Sequence, residues 1–227
     1  MVFFDAGDTL IERADDPVAA MLATLGALGV RAGAEELRPA LEALAHAYRA
    51  GVYAPRTLRG EGLLWRAMAG ACLAHLPPAA RRPAVGAGLR RELAGYARHY
   101  RPVAGMRELV ARLAAAGRPV GVISNWVPSL PRVLAALGFG PFQVLACSGR
   151  LGRTKPDPAI FRWALRRAGV PAARAWHIGN DPRSDYAAAA AAGLRPVLWD
   201  PRGESAGGAL RRVGSAQELE ALLLREA

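Results

Sequence analysis

The sequence predicts an α/β fold: a doubly wound, Rossmann-like parallel sheet with an all-helical segment inserted after its first strand. Three observations lead there. Short apolar runs alternate with helical patterns through the second half of the chain, as in β-α units whose crossover helices keep successive strands parallel. The stretch from about 14 to 99 has helical windows and no convincing strand. The chain itself opens on an apolar run, MVFF, that stops at a carboxylate, Asp5.

The elements follow in order. MVFF (1–4) is the first strand, short for a central position. Helical windows come next at 17–28, 34–50, 60–76 and 79–99, broken at Gly29-Val30, Ala54-Pro55 and Pro77-Pro78. RPVAG (101–105) marks the return to the sheet, so the predicted division is a core of 1–13 with 100–227 and a helical domain of 14–99. RELVARLAAAG (107–117) has helical spacing and stops at Gly117, a C-cap signal. PVGVIS (119–124) is rich in β-branched residues and reads as a buried strand. A helix over 129–139 and a strand over 143–147 precede PAIFRWALRRAGV (158–170), a helix with Pro158 near its start and Gly169 at its end. A strand at 175–180, a helix at 185–193, a strand at 195–199 and an amphipathic helix at 216–227 complete the chain.

Composition narrows the function classes. At 227 residues and 52% apolar, the chain can bury a sizeable core, and no apolar run approaches membrane-spanning length. Asp5 and Asp8 stand where a signal peptide would carry basic residues, which points to a cytoplasmic protein. Cys72 and Cys147 lack metal-site spacing and read as buried thiols. The net charge of +11 comes from scattered arginines without a basic stripe or aromatic platform. That pattern argues against nucleic acid and for general solubility or attraction to anionic small molecules. Among 30 basic residues only Lys155 is lysine, and asparagine occurs only at 125 and 180.

In an open α/β sheet, ligands bind beyond the carboxyl ends of the strands. Asp5 follows the first strand, Ser124-Asn125 the second, Thr154-Lys155-Pro156 precedes a helix, and GNDPRSD (179–185) follows the AWHI run. The rare residues Lys155, Asn125 and Asn180 all fall at this edge. A carboxylate nucleophile, a hydroxyl, an ammonium and further carboxylates suit attack on a phosphoryl centre with Mg²⁺ held by oxygen ligands. His177 reads as a core histidine. His46, His75 and His99 lie in helical windows without partner spacing.

The segments FFDAGDTL, VISN, TKPDPAIF and HIGNDPRSD resemble, in order, the four motifs of the haloacid dehalogenase superfamily of hydrolases. The helical insert resembles that superfamily's C1-type cap. The resemblance implies that Asp5 attacks the substrate and forms a covalent aspartyl intermediate. It implies that Ser124, with Asn125, binds the phosphoryl oxygens and that Lys155 holds the nucleophile. Mg²⁺ would be held by Asp5, the Gly7 carbonyl, Asp181 and Asp185. Trp126 is a candidate apolar wall of the pocket, and Arg49, Arg56, Arg59 and Arg66 are candidate cations for an anionic substrate.

Two departures stand out. The acid/base aspartate expected two residues after the nucleophile is Gly7; Asp8, one residue out of phase, is the remaining catalytic candidate and otherwise stabilises the turn. Asn180 stands where an acid follows the last motif's glycine, so Asp181 or Asp185 must supply the charge. The leading expectation is a Mg²⁺-dependent phosphatase acting on a small phosphorylated metabolite. The alternatives are a 2-haloacid dehalogenase-like hydrolase and a non-catalytic binding domain of the same fold.

Overall fold

The computed structural model describes residues 1–49, 55–204 and 210–225. The chain divides into two compact units, Met1–Glu12 with Arg101–Ala227, and Arg13–Tyr100.

The first unit is built on a six-stranded parallel sheet. Its strands are β1 (Val2–Phe4), β4 (Val120–Ser124), β5 (Val144–Cys147), β6 (Trp176–Gly179), β7 (Arg195–Trp199) and β8 (Arg212–Val213), in the order β5-β4-β1-β6-β7-β8. The order reverses at β1, which pairs with β4 on one side and β6 on the other; Phe4 lies opposite Val122 and Ile178. Three residues suffice for this central strand because Val2, Phe3 and Phe4 are all buried. β2 (Ile11–Arg13) and β3 (Tyr100–Pro102) form a separate two-stranded ribbon that the sequence reading missed, each too short to carry a period-two signal.

The crossover helices are α5 (Met106–Ala115), α6 (Leu130–Ala136), α7 (Ser148–Leu151), α8 (Pro158–Ala168) and α9 (Ala188–Ala191), and α10 (Ala216–Arg225) follows the last strand. α8 shows why such helices form here. Asp157 caps it by accepting from the Ala159 amide, Pro158 occupies the first turn, and Gly169 ends it in the left-handed region at φ 68°. Its inward residues Ile160, Phe161, Ala164 and Leu165 pack with Phe3, Ile123 and Ala188 in the core. The helix expected at 185–193 begins earlier. Asp181 caps a wide π-helical turn, Pro182–Ala187, that runs into α9.

The second unit is helical: α1 (Pro17–Ala27), α2 (Ala34–Arg49), α3 (Leu58–His75) and α4 (Pro83–Ala94). The helix expected over 79–99 is shorter, since Pro83 opens α4 and Gly95 ends it, leaving Tyr96–His99 as a 3-10 turn. Val18, Met21, Leu25, Leu37, Cys72, Val85 and Leu89 form this unit's own core. Position 50 of the helix expected over 34–50, Ala54 at an expected break, and positions 226 and 227 of the terminal helix lie outside the described residues. No described helix is long and apolar enough to cross a membrane.

Candidate active site

The parallel strands of the first unit bring four segments to one edge. Asp5 follows β1, anchored by its amide to the Ile178 carbonyl at 2.8 Å. Ser124 is the last residue of β4 and is 1% exposed. Lys155 follows α7, and Asp185 lies on the turn after β6. These four are buried polar groups in an apolar sheet edge, so each must find a partner.

They find one another. The Lys155 ammonium stands 2.7 Å from Asp5 Oδ1 and 2.5 Å from Asp185 Oδ1. Ser124 lies beside Asp5 and pulls its carboxyl group down against the effect of burial. Asp185 is further held by His177, whose Nε2 is 2.9 Å from the same Oδ1, and by the Asp181 amide, which donates to Oδ2 at 3.1 Å. Gly179 makes the approach possible: a Cβ there would come within 2.2–2.5 Å of the Asp185 carboxyl group.

The electrostatics follow from burial and these pairs. Burial raises Asp5 above the ordinary carboxylate range, and the pull of Lys155 in the other direction does not cancel it. Burial would raise Asp185 too, but Lys155 and His177 outweigh it and hold this group well below the usual range. Burial would lower the Lys155 ammonium; two flanking carboxylates raise it instead. The centre therefore holds two carboxylates with contrasting environments around one cation.

The Asn125 side-chain amide donates to the Lys155 carbonyl at 2.9 Å and its Oδ1 accepts from the Lys155 amide at 2.8 Å. Both ends of the side chain thus bond to the main chain of Lys155, a tie that the sequence reading did not anticipate. Trp126 packs its ring against Gly7, where a Cβ would meet the indole at 3.2 Å. Asp8 is exposed and occupies the left-handed region at φ 53°, its amide donating to the Ile11 carbonyl at 2.7 Å. Its backbone thus shapes the turn. Asp181 is exposed, and its Oδ1 caps the Arg183 and Ser184 amides. Arg56, Arg59 and Arg66 are exposed on the helical unit, and the side chain of Arg49 lies outside the described residues. Sequence reasoning missed the contribution of His177. The eight-residue spacing to Asp185 crosses a strand end and a π-turn, and no simple period connects the two.

The same geometry tests the fit of a divalent cation. Asp185 Oδ1 already faces Lys155 and His177 and Oδ2 accepts from the Asp181 amide, so this carboxylate has little acceptor capacity left for a cation. Asp5 Oδ1 is buried without an aligned hydrogen bond, and no amide among the described residues donates to the Gly7 carbonyl. No described trio of His, Cys, Asp or Glu is arranged as a metal site. The available set is one buried carboxylate, a backbone carbonyl and the polar Asn180-Asp181 pair after β6. That set fits Mg²⁺, which commonly takes one or two carboxylates and keeps several waters.

The α/β sheet thus carries a buried Asp-Lys-Asp centre at its carboxyl edge. Residues 1–193 match the model of the haloacid dehalogenase-like hydrolases, and the chain belongs to that family. It is 31% identical over 206 residues to a phosphoglycolate phosphatase of Xanthomonas campestris pv. campestris strain 8004, covering 88% of this chain and 84% of that protein. It is 38% identical over 89 residues to a phosphoserine phosphatase of Thermus thermophilus; that alignment spans 38% of this chain and 35% of the relative. A 2-haloacid dehalogenase from Pseudomonas syringae pv. Tomato DC3000 shares the fold with a TM-score of 0.72 and 23% identity, over 100% of this chain and 98% of that one.

Proposed function

We propose that this chain is a phosphoric monoester hydrolase for a small anionic metabolite, with Asp5 as the nucleophile. The observation that supports it most is the Lys155 ammonium 2.7 Å from Asp5 at the end of β1, with the Ser124 hydroxyl beside it. An Asp5 oxygen attacks phosphorus as the bond to the leaving oxygen breaks, and that oxygen keeps the electron pair and takes its proton from solvent. Lys155 offsets the charge on the phosphoryl oxygens while Ser124 donates to one of them. Water then cleaves the aspartyl phosphate and returns Asp5. Asp5, the Gly7 carbonyl and the Asn180-Asp181 pair would hold Mg²⁺, which supplies positive charge that lets an anionic carboxylate meet an anionic phosphate. The helical unit would be the counterpart of the C1-type cap.

One observation favours a second reading, a 2-haloacid dehalogenase-like reaction. Gly7 has no side chain to protonate a leaving group, and the Trp126 ring crowds the place where one would begin. A halide leaves without a proton, so that chemistry tolerates the gap.

A phosphomonoester panel with and without Mg²⁺, run beside chloride release from 2-chloropropionate in EDTA, separates the readings. Phosphate release that needs Mg²⁺ and vanishes in Asp5→Asn supports the first. Chloride release indifferent to EDTA replaces it with the second.

A further inference from the structure

His177 is fully buried on β6. Its ring meets Phe161 edge-on, with centroids 5.1 Å apart at 89°, and its Nδ1 has no hydrogen-bond partner among the described residues. A buried imidazole with one nitrogen unpaired costs free energy that an aliphatic side chain at the same inward position would not. Packing therefore does not account for a histidine here. The other nitrogen does: Nε2 meets Asp185 Oδ1 at 2.9 Å, the very oxygen that seats the Lys155 ammonium at 2.5 Å.

Asp185 is thereby held from three sides. His177 and Lys155 share Oδ1, and the Asp181 amide takes Oδ2, so the carboxyl group cannot rotate without losing a buried bond. Lys155 is held at both ends: Asn125 fixes its main chain, and Asp185 fixes its ammonium against Asp5. A flexible four-carbon stem needs such restraint to keep one distance.

We propose that His177 is a positioning residue for the Asp5–Lys155 centre. By donating from Nε2 it locks Asp185 as the seat of the ammonium and so sets where Lys155 stands relative to Asp5. It acts through Asp185 alone. The inference rests on the reading in which Lys155 serves attack by Asp5, but its decisive measurement needs no substrate.

Because Lys155 is the only lysine, ¹⁵N-lysine labelling gives one Nζ resonance. In the wild type this resonance is expected in slow exchange with water. His177→Gln, whose amide can still donate to Asp185, should keep it. His177→Leu, folded by circular dichroism, should lose it to faster exchange, as should Asp185→Asn. On a substrate that the wild type turns over, His177→Leu should lower kcat about 10- to 100-fold while KM changes less than about threefold, and His177→Gln should recover most of the loss. An unchanged Lys155 resonance in folded His177→Leu overturns the proposal, whatever the activity. Should His177→Leu fail to fold, Gln and Asn decide the matter. Asn is one methylene shorter and cannot reach, so the resonance must survive in His177→Gln and not in His177→Asn; the same outcome in both overturns it. If the wild type hydrolyses nothing while the resonance behaves as described, the functional reading fails and the positioning role stands.

Discussion

Asn125 and Lys155 exchange two hydrogen bonds, side-chain amide to main chain, at 2.9 and 2.8 Å. The pair ties the end of β4 to the loop that carries the only lysine. Asn125→Ala removes both bonds and should cost about 1–3 kcal/mol, at about 1 per bond. The same variant should lower kcat more than it raises KM, because it frees the loop that aims Lys155. Thermal melting and steady-state kinetics check both parts.

Lys155→Arg tests whether charge alone suffices at this centre. The ammonium is a compact donor placed between two carboxylates, while a guanidinium is a planar fork that needs a wider seat. Turnover should fall by on the order of 10²-fold or more even though the charge is kept. Activity within about threefold of wild type would show that geometry at Lys155 is unimportant.

Asp185 should leave a signature in acid. Its folded pKa is depressed, so its contribution is fully present above the unfolded value, about 3.9, and is lost as pH falls through the folded value. Asp185→Asn should destabilise the protein by about 3 kcal/mol near neutrality, since it removes one partner of a buried ion pair. The gap in melting temperature between wild type and variant should hold from about pH 7 to 5 and close below about pH 4. A gap that stays constant down to about pH 2 would show that the pair does not persist in solution.

Gly7 and Trp126 give a paired test. Gly7→Asp places a Cβ 3.2 Å from the indole and should cost about 1–3 kcal/mol by overpacking. Trp126→Ala in the same chain should recover part of that loss in a thermal melt. With room for the new carboxyl group, the double variant should hydrolyse alkyl phosphates faster than Trp126→Ala alone, by on the order of 10-fold or more. Asp8→Asn, by contrast, keeps a residue type that tolerates φ 53° and should change stability by less than about 0.5 kcal/mol.

Much of the molecule was legible from residue order alone. Strand-helix alternation after residue 100 gave the parallel sheet, because burial on both faces writes continuous apolar runs. The rarity of Lys155, Asn125 and Asn180 marked the carboxyl edge before any coordinate did. Short elements were not legible: β2, β3 and β8 hold two or three residues each, too few for a period to show.

The sequence by itself determined which residues arrive at the carboxyl edge, since each follows a strand or precedes a helix whose pattern is local. Only the tertiary structure decided what each one touches there. Asn125 went to a main chain 30 residues away, Asp185 to Lys155 and His177, and the space beside Gly7 to Trp126. The reason is physical. Periodicity reports which face of an element is buried, whereas hydrogen-bond partnership depends on the meeting of strand ends and loops far apart in the chain. A turn such as Pro182–Ala187, wound wide enough to carry Asp185 in over Gly179, leaves no periodic trace in the residues that form it.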